Sequence, residues 1–354
     1  MPLPSDVVLT IDRNVQAFVE DSLEAVIERY DATAGSVIVQ DVQTGKIIAM
    51  ADSPSFDPNE YGSADTASFQ NSPVQRPFEP GSSFKPFTMA MGLDTNEVTP
   101  QSTYTDYGST EIAGYTIRNF TDVPFGTVTM TRVLEKSINT GTMHVQRKVG
   151  NDRFLEYLIN FGFSQRTGID LPGEGTGDVG NLYSGRDINF MTASFGQGIT
   201  VTPLQMAVGF SAIANGGKLL KPYVVDSIIR DDLVVYQAEP ETVGIPIRQS
   251  TARQLQVMLT SVVDNGFDKA RIPRYDVAGK TGTAQIADPE GGYLEDDHIH
   301  SFAGFFPSTT EARYTVVIIL ERPKGVTFAS DSLSPVFKDI ALFLINYFRI
   351  PPTR

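Results

Sequence analysis

Three short stretches carry the residue types of nucleophilic catalysis. In Pro80-Gly-Ser-Ser-Phe-Lys-Pro86, Ser82 and Lys85 stand three residues apart. Pro86 lacks an N–H and fits a helix's first turn, so a helix starts near Ser82–Ser83. Residues three apart share a helix face. The positive field of the helix start, with burial, lowers a lysine pKa and makes the amine a usable base. A hydroxyl beside such an amine is an activated nucleophile. The plainer alternative is a serine N-cap followed by a solvated lysine.

The second stretch is Ser137-Ile-Asn139, after the apolar pair Val133-Leu134. Residues two apart do not share a helix face, so both side chains reach one site only from a turn. Their plain alternative is a pair of helix-end residues. The third is Lys280-Thr281-Gly282-Thr283, inside the apolar run Val277–Ile286. Glycine within a strand marks close approach by another backbone or a bulge. Lys280 and Thr283 offer a cation and a hydroxyl to a carboxylate, and an exposed strand edge there pairs with an extended peptide.

The elements that must position these residues read as follows. Asp12 caps a run with apolar positions at Val15, Phe18, Val19, Leu23, Val26 and Ile27, which predicts a helix over 13–30. Gly35–Asp41 and Lys46–Met50 flank a Gly45 turn and predict a hairpin. Residues 53–80 hold five prolines and no period, and read as a loop. From Ser82 to Asn265 the pattern is mainly helical, with helices from Asn151 to Gly162, from Thr202-Pro203 to Asn215, and from Ser250 to Asn265. A glycine-rich loop at 171–187 and a small hairpin, 223–229 with 233–236, interrupt it. Strands return at 277–286, 301–306 and 314–320, and a closing helix is expected over 335–348. The fold class is α/β: one five-stranded antiparallel sheet, built from both ends of the chain and covered by helices, with a mainly helical subdomain inserted. Residues 1–80 plus 274–354 form the sheet subdomain of a single 1–354 domain, and 81–273 the helical one. A cleft is expected where they meet, bordered by loops at 53–80 and 287–299.

Composition narrows the chemistry. The 354 residues contain no cysteine, which excludes thiolate catalysis, disulfides and Cys-ligated zinc. The formal net charge of −14 argues against a nucleic-acid partner. No apolar run approaches the ~20 residues of a spanning helix, so the chain itself is expected to make no membrane contact. Glu295-Asp-Asp-His-Ile-His300 contains a His-x-His pair beside carboxylates, but no third region offers converging ligands, so no metal site and no cofactor are expected. It reads as a polar loop.

S-x-x-K, S-x-N and K-T-G in this order resemble the motif set shared by class A β-lactamases and penicillin-binding proteins. The whole chain resembles the transpeptidase domain of class B penicillin-binding proteins. Phe78–Phe87, Thr167–Glu174, Ser194–Gln205, Ala278–Ala284 and Ser301–Phe305 are similar to family segments, in family order. The resemblance implies a D,D-transpeptidase. Ser82 would attack the carbonyl between two D-alanines of a peptidoglycan stem peptide, and Lys85 would take its proton. Ser137 would relay a proton to the leaving amine, helped by Lys280. Asn139 would bond the substrate amide. Thr281, Gly282 and Thr283 would form the substrate-binding strand, its two threonines holding the terminal carboxylate. The N–H groups of Ser82 and Thr283 would form the oxyanion hole. β-Lactams would acylate Ser82.

The resemblance also implies an extracytoplasmic site. It implies a parent anchored by an N-terminal transmembrane helix absent from this chain, with divisome or elongasome partners. Phe78-Glu79-Pro80 is closer to the septal branch than to the elongation branch. The alternatives are a non-turnover β-lactam sensor or scaffold of the same fold, and a β-lactamase. A class A β-lactamase needs a carboxylate to activate deacylating water, and Glu174 is the one candidate. Ile138 departs from the β-lactamase motif and is expected to point into the core.

Overall fold

A computed structural model of the chain describes residues 4–120, 123–288, 291–309 and 311–354. Its centre is a five-stranded sheet in the order Ala278–Ala287, Tyr293–Phe306, Tyr314–Glu321, Ala34–Asp41, Ile47–Ser53. Every neighbouring pair is antiparallel. Strand 278–287 is one edge, and it carries Lys280 and its three successors. The inner strands are apolar at successive positions because both faces are covered. Val37, Val39, Val316 and Ile318 pack with Val15, Leu23, Phe337 and Leu344 of helices Arg13–Tyr30 and Ala329–Tyr347. Ile38, Val317 and Ile319 face the other way, into the core that holds helix Pro203–Ala214.

Local signals explain several of these boundaries. Asp12 accepts from the N–H groups of Asn14 and Val15 at 2.9 and 3.1 Å, a cap worth about 1 kcal/mol. Thr202 and Gln205 close a capping box on helix 203–214, each side chain accepting from the other's N–H at 3.1 and 2.8 Å.

Four expectations need correction. The closing helix begins at Ala329, not at 335, and Pro335 lies inside it. Proline deprives the Asp331 carbonyl of its helical donor, and the Tyr30 hydroxyl donates to that oxygen instead at 3.4 Å. The expected loop at 287–299 is mostly strand. Pairing of Ala287 with Tyr293 and of Gln285 with His298 extends the sheet into a hairpin, and His298 and His300 sit within a strand. The middle of the chain also contains two small two-stranded sheets. Thr103–Asp106 pairs with Gly126–Thr129, and Ser109–Ile112 with Tyr115–Arg118. These segments are rich in β-branched and aromatic residues, and Ala113-Gly114 turns the second at φ 49° and 82°. Finally, the hairpin of Val225–Arg230 and Leu233–Gln237 is a three-stranded sheet, because Asp6–Leu9 joins it. The 53–80 segment contains short 3₁₀ turns and one turn of α-helix at Ser72–Gln75.

Candidate active site

Ser82 lies on a 3₁₀ turn, Gly81–Phe84, that runs into helix Lys85–Asp94. Side chains three apart eclipse one another in a 3₁₀ turn, so Ser82 and Lys85 stand in line. The Lys85 N–H donates to the Ser82 carbonyl and ties the two units together. Ser82 is half-buried, and Lys85 is fully buried.

The turn is clamped from two sides. Gly81 has φ 53° and donates its N–H to the Gly196 carbonyl at 3.0 Å. A Cβ on Gly196 would stand 2.2 Å from the Gly81 oxygen, so the backbones touch there. On the other side lies strand 278–287. A Cβ on Gly282 would stand 2.5 Å from Ser301 Oγ, 2.7 Å from the Pro80 oxygen and 3.0 Å from the Ser83 nitrogen. The glycine of the third motif therefore lets the strand press against the serine turn. Ser83 is not a second nucleophile. Its buried hydroxyl donates to the Pro80 carbonyl at 2.7 Å and accepts from Ser301 Oγ at 3.1 Å.

Helices Met130–Glu135 and Asn139–Val149 are separated by a break at Lys136–Ile138. Ser137 occupies the left-handed region at φ 54°, a conformation that costs a non-glycine residue about 1–2 kcal/mol. The strained residue turns both its carbonyl and its hydroxyl toward Lys85. The Lys85 Nζ lies 2.5 Å from Ser137 O, 3.2 Å from Ser137 Oγ and 2.7 Å from Asn139 Oδ1. Asn139 is held from its other end, where Nδ2 donates to the Arg118 carbonyl at 3.0 Å. Ile138 between them is fully buried in the core.

Lys280 is the second buried cation, and its Nζ donates to the Thr281 carbonyl at 3.0 Å. Burial pulls its pKa from 10.5 down to about 7. Burial also holds Lys85 well below the usual lysine range, and repulsion from Lys280 pushes it further the same way. Both amines give up protons far more easily than surface lysines do.

These groups open onto one groove. Ser82, Ser137, Lys280, Thr281 and Thr283 line a cavity of about 460 Å³. A second cavity, about 410 Å³, shares Ser82, Phe120 and Thr283 with it and adds Asn139, Arg118, Gln285 and His298. Ser82 thus sits where two lobes meet. The Thr283 hydroxyl accepts the Ala329 N–H at 3.1 Å, which fixes the start of helix 329–347 at the cleft wall. Phe120 and Phe328 meet across the mouth with ring centroids 5.2 Å apart.

The structure brings all eight sequence-predicted residues to this groove or its walls. It adds Asn119, Phe120, Phe125 and Phe328, which lie outside any motif. The Ser137 carbonyl was also missed, because a backbone acceptor leaves no residue-type signal. Glu174 lies elsewhere. It accepts from the Thr167 N–H and hydroxyl at 2.5 and 2.6 Å and from the Gly168 N–H at 3.1 Å, closing its own loop. His300 packs its Nδ1 2.8 Å from Ser332 Oγ, and burial lowers its pKa to about 4. Among the described residues no three His, Asp or Glu side chains converge to hold a metal, and no helix is long and apolar enough to cross a membrane.

Comparison with known proteins agrees with this architecture. Residues 35–342 match the family described as the penicillin binding protein transpeptidase domain. The chain belongs to that family, in its class B branch. It is 34% identical over 343 residues to stage V sporulation protein D of Bacillus subtilis, covering 95% of this chain and 52% of that protein. It is 33% identical over 360 residues to penicillin-binding protein PbpB of Mycolicibacterium smegmatis, covering 98% and 55%. The chain therefore spans about half the length of these curated relatives. Penicillin binding protein 3 of Mycobacterium tuberculosis, complexed with aztreonam, superposes with a TM-score of 0.91 at 30% identity, covering 99% of this chain and 81% of that one. The transpeptidase domain of Burkholderia pseudomallei penicillin-binding protein 3 superposes with a TM-score of 0.85 at 28% identity, covering 98% of each.

Proposed function

We propose that this domain is a peptidoglycan D,D-transpeptidase acting through an acyl-enzyme on Ser82. Lys85 in its neutral form takes the hydroxyl proton as Ser82 Oγ attacks the carbonyl between two D-alanines of a stem peptide. The bond from that carbon to Ser82 forms, and the bond to the terminal D-alanine nitrogen breaks. Ser137 passes a proton to the departing amine, with Lys280 alongside. The N–H groups of Ser82 and Thr283 carry the developing oxyanion, each worth about 3 kcal/mol. Asn139 orients the substrate amide with its remaining Nδ2 hydrogen. Lys280, Thr281 and Thr283 hold the terminal carboxylate. A neighbouring strand's amine then attacks the acyl carbonyl, which forms the cross-link and frees Ser82.

The observation that carries this reading is the cage of three oxygens around the buried Lys85 amine, beside a half-buried serine and a second buried lysine in one cleft. The net charge of −14 does not oppose an anionic substrate, because charges beyond ~8–10 Å are screened while Lys280 acts at contact range. β-Lactams acylate the same oxygen in this reading, and the mycobacterial relative is complexed with aztreonam and with ampicillin. The site works outside the cytoplasmic membrane. The whole protein acts at the membrane surface in this reading, with division or elongation proteins as partners. The likeness of Phe78-Glu79-Pro80 to the septal branch supports a role in division over one in elongation.

The test is intact mass after incubation with benzylpenicillin, followed by peptide mapping. One adduct on the Ser82 peptide, lost in Ser82→Ala, is expected. An unmodified protein under conditions that acylate a known penicillin-binding protein refutes the assignment. Acyl transfer from a thioester donor to a D-amino acid then separates a working transpeptidase from a drug sensor.

A further inference from the structure

Asp106 closes strand 103–106 and is 1% exposed. It belongs to none of the motifs, yet it collects donors from five other residues. Its Oδ1 accepts from Tyr104 Oη at 2.9 Å, the Gly108 N–H at 3.2 Å, Asn119 Nδ2 at 2.9 Å and Thr140 Oγ1 at 2.6 Å. Its Oδ2 accepts from Asn119 Nδ2 at 3.0 Å and the Phe125 N–H at 2.8 Å. A buried carboxylate survives only when such donors replace its water. Burial pushes the Asp106 carboxyl up, and the bonds from Thr140, Phe125, Asn119 and Tyr104 outweigh it, so the group stays ionised.

Two of the donors line the cleft, and a third adjoins it. Phe125 and Asn119 line the lobe that holds Lys280, and Phe120 follows Asn119. Thr140 follows Asn139, and its N–H donates to Asn119 Oδ1 at 3.2 Å. Asn139 in turn donates to the carbonyl of Arg118, the residue before Asn119, and receives the Lys85 amine. Asp106 therefore fixes both the segment that Asn139 leans on and the helix start that carries it.

We propose that Asp106 is the positioning residue of this cleft, one buried carboxylate that sets, through Asn119, Phe125 and Thr140, where Asn139 and the wall at Phe120 and Phe125 stand around Ser82. It touches no reacting atom. Asp106→Asn keeps the size but turns an amide N–H₂ onto the donors of Oδ2 or Oδ1, so at least one segment must swing away. Misplacement of about 1 Å near a reacting centre costs on the order of a hundredfold in rate.

This inference rests on the proposed function, and the experiment separates the two. The second-order rate of acylation by a fluorescent penicillin is measured against pH for the parent chain and for Asp106→Asn, with thermal melting alongside. A parent that is not acylated refutes the function itself. With an acylated parent, Asp106→Asn should acylate about 10- to 100-fold more slowly. Its acid limb should move down by about one pH unit, because Lys85 loses the Asn139 acceptor that favours its charged form. Lys280, the charged group that acts on Lys85, is unchanged. General loosening does the opposite, since water entering around Lys85 raises its pKa and moves the acid limb up. An unchanged rate overturns the proposal, as does an acid limb that stays put or rises. Thr140→Val, nearly isosteric, leaves Asp106 ionised and removes only the hydroxyl that meets Asp106, Tyr104 and Asn119; it should change rate and acid limb in the same directions, which keeps the test open if Asp106→Asn does not fold.

Discussion

Lys280→Met should make the domain more stable while disabling it. Lys280 is buried, and burial holds its pKa near 7, whereas an unfolded chain binds the same proton with a pKa near 10.5. Between those values the unfolded chain holds more protons, so the fold gains stability as pH rises through the window. The lysine costs the fold about 4 kcal/mol at pH 7, about 3 at pH 8 and about 2 at pH 9. Methionine keeps the unbranched bulk and carries no charge. The variant should therefore out-stabilise the parent by most of that amount at pH 7, with a lead that shrinks by about 1 kcal/mol per pH unit. Guanidinium unfolding of both proteins at pH 7, 8 and 9 reads the difference directly. Acylation by a fluorescent penicillin at pH 7 should fall by about 100-fold or more, the scale of losing an electrostatic contact at the reacting centre. A lead that does not change with pH, or a variant less stable than its parent, would sink the argument that Lys280 is a desolvated cation held for its charge.

The other predictions concern the strained and crowded backbone. Gly282→Ala puts a methyl 2.5 Å from Ser301 Oγ and 2.7 Å from the Pro80 oxygen, so it should part the strand from the serine turn and cut acylation about 100-fold. A crystal structure of that variant should show the 278–287 edge displaced, and full activity would contradict the close-approach account. Ser137→Gly and Ser137→Ala both remove the hydroxyl, but only glycine relieves the left-handed strain, so the glycine variant should melt higher, by about 1 kcal/mol in stability. Equal melting of the two would show that position 137 stores no strain.

Legibility in the sequence followed the reach of each signal. Helix 13–30 announces itself through Asp12 and a one-sided apolar stripe, and the two-sided burial of the sheet through uninterrupted Val and Ile. Helix 329–347 starts six residues before the expected Pro335. Its first N–H is met by Thr283 and its missing donor is replaced by Tyr30, each about 50 or more residues away along the chain. Segment 293–298 is mostly polar, and its pairing with 285–287 makes it a strand. Within the cleft, Ser82, Lys85, Ser137, Asn139 and Lys280–Thr283 were legible because their chemistry depends on residue type. Phe120, Phe125, Phe328 and Asp106 were not, because they matter through location alone.

The three contacts of Lys85 have one further consequence. They employ every hydrogen of an ammonium group, and of the three oxygens only Ser137 Oγ carries a hydrogen of its own. When Lys85 surrenders a proton, the amide and carbonyl contacts persist unaltered, while the one to Ser137 Oγ either reverses, the hydroxyl donating to the amine's lone pair, or lapses and leaves that lone pair to the Ser82 hydroxyl. That contact, at 3.2 Å the longest, is thus the hinge between a discharged and a loaded resting state, and the loaded one must empty before Ser82 can fire.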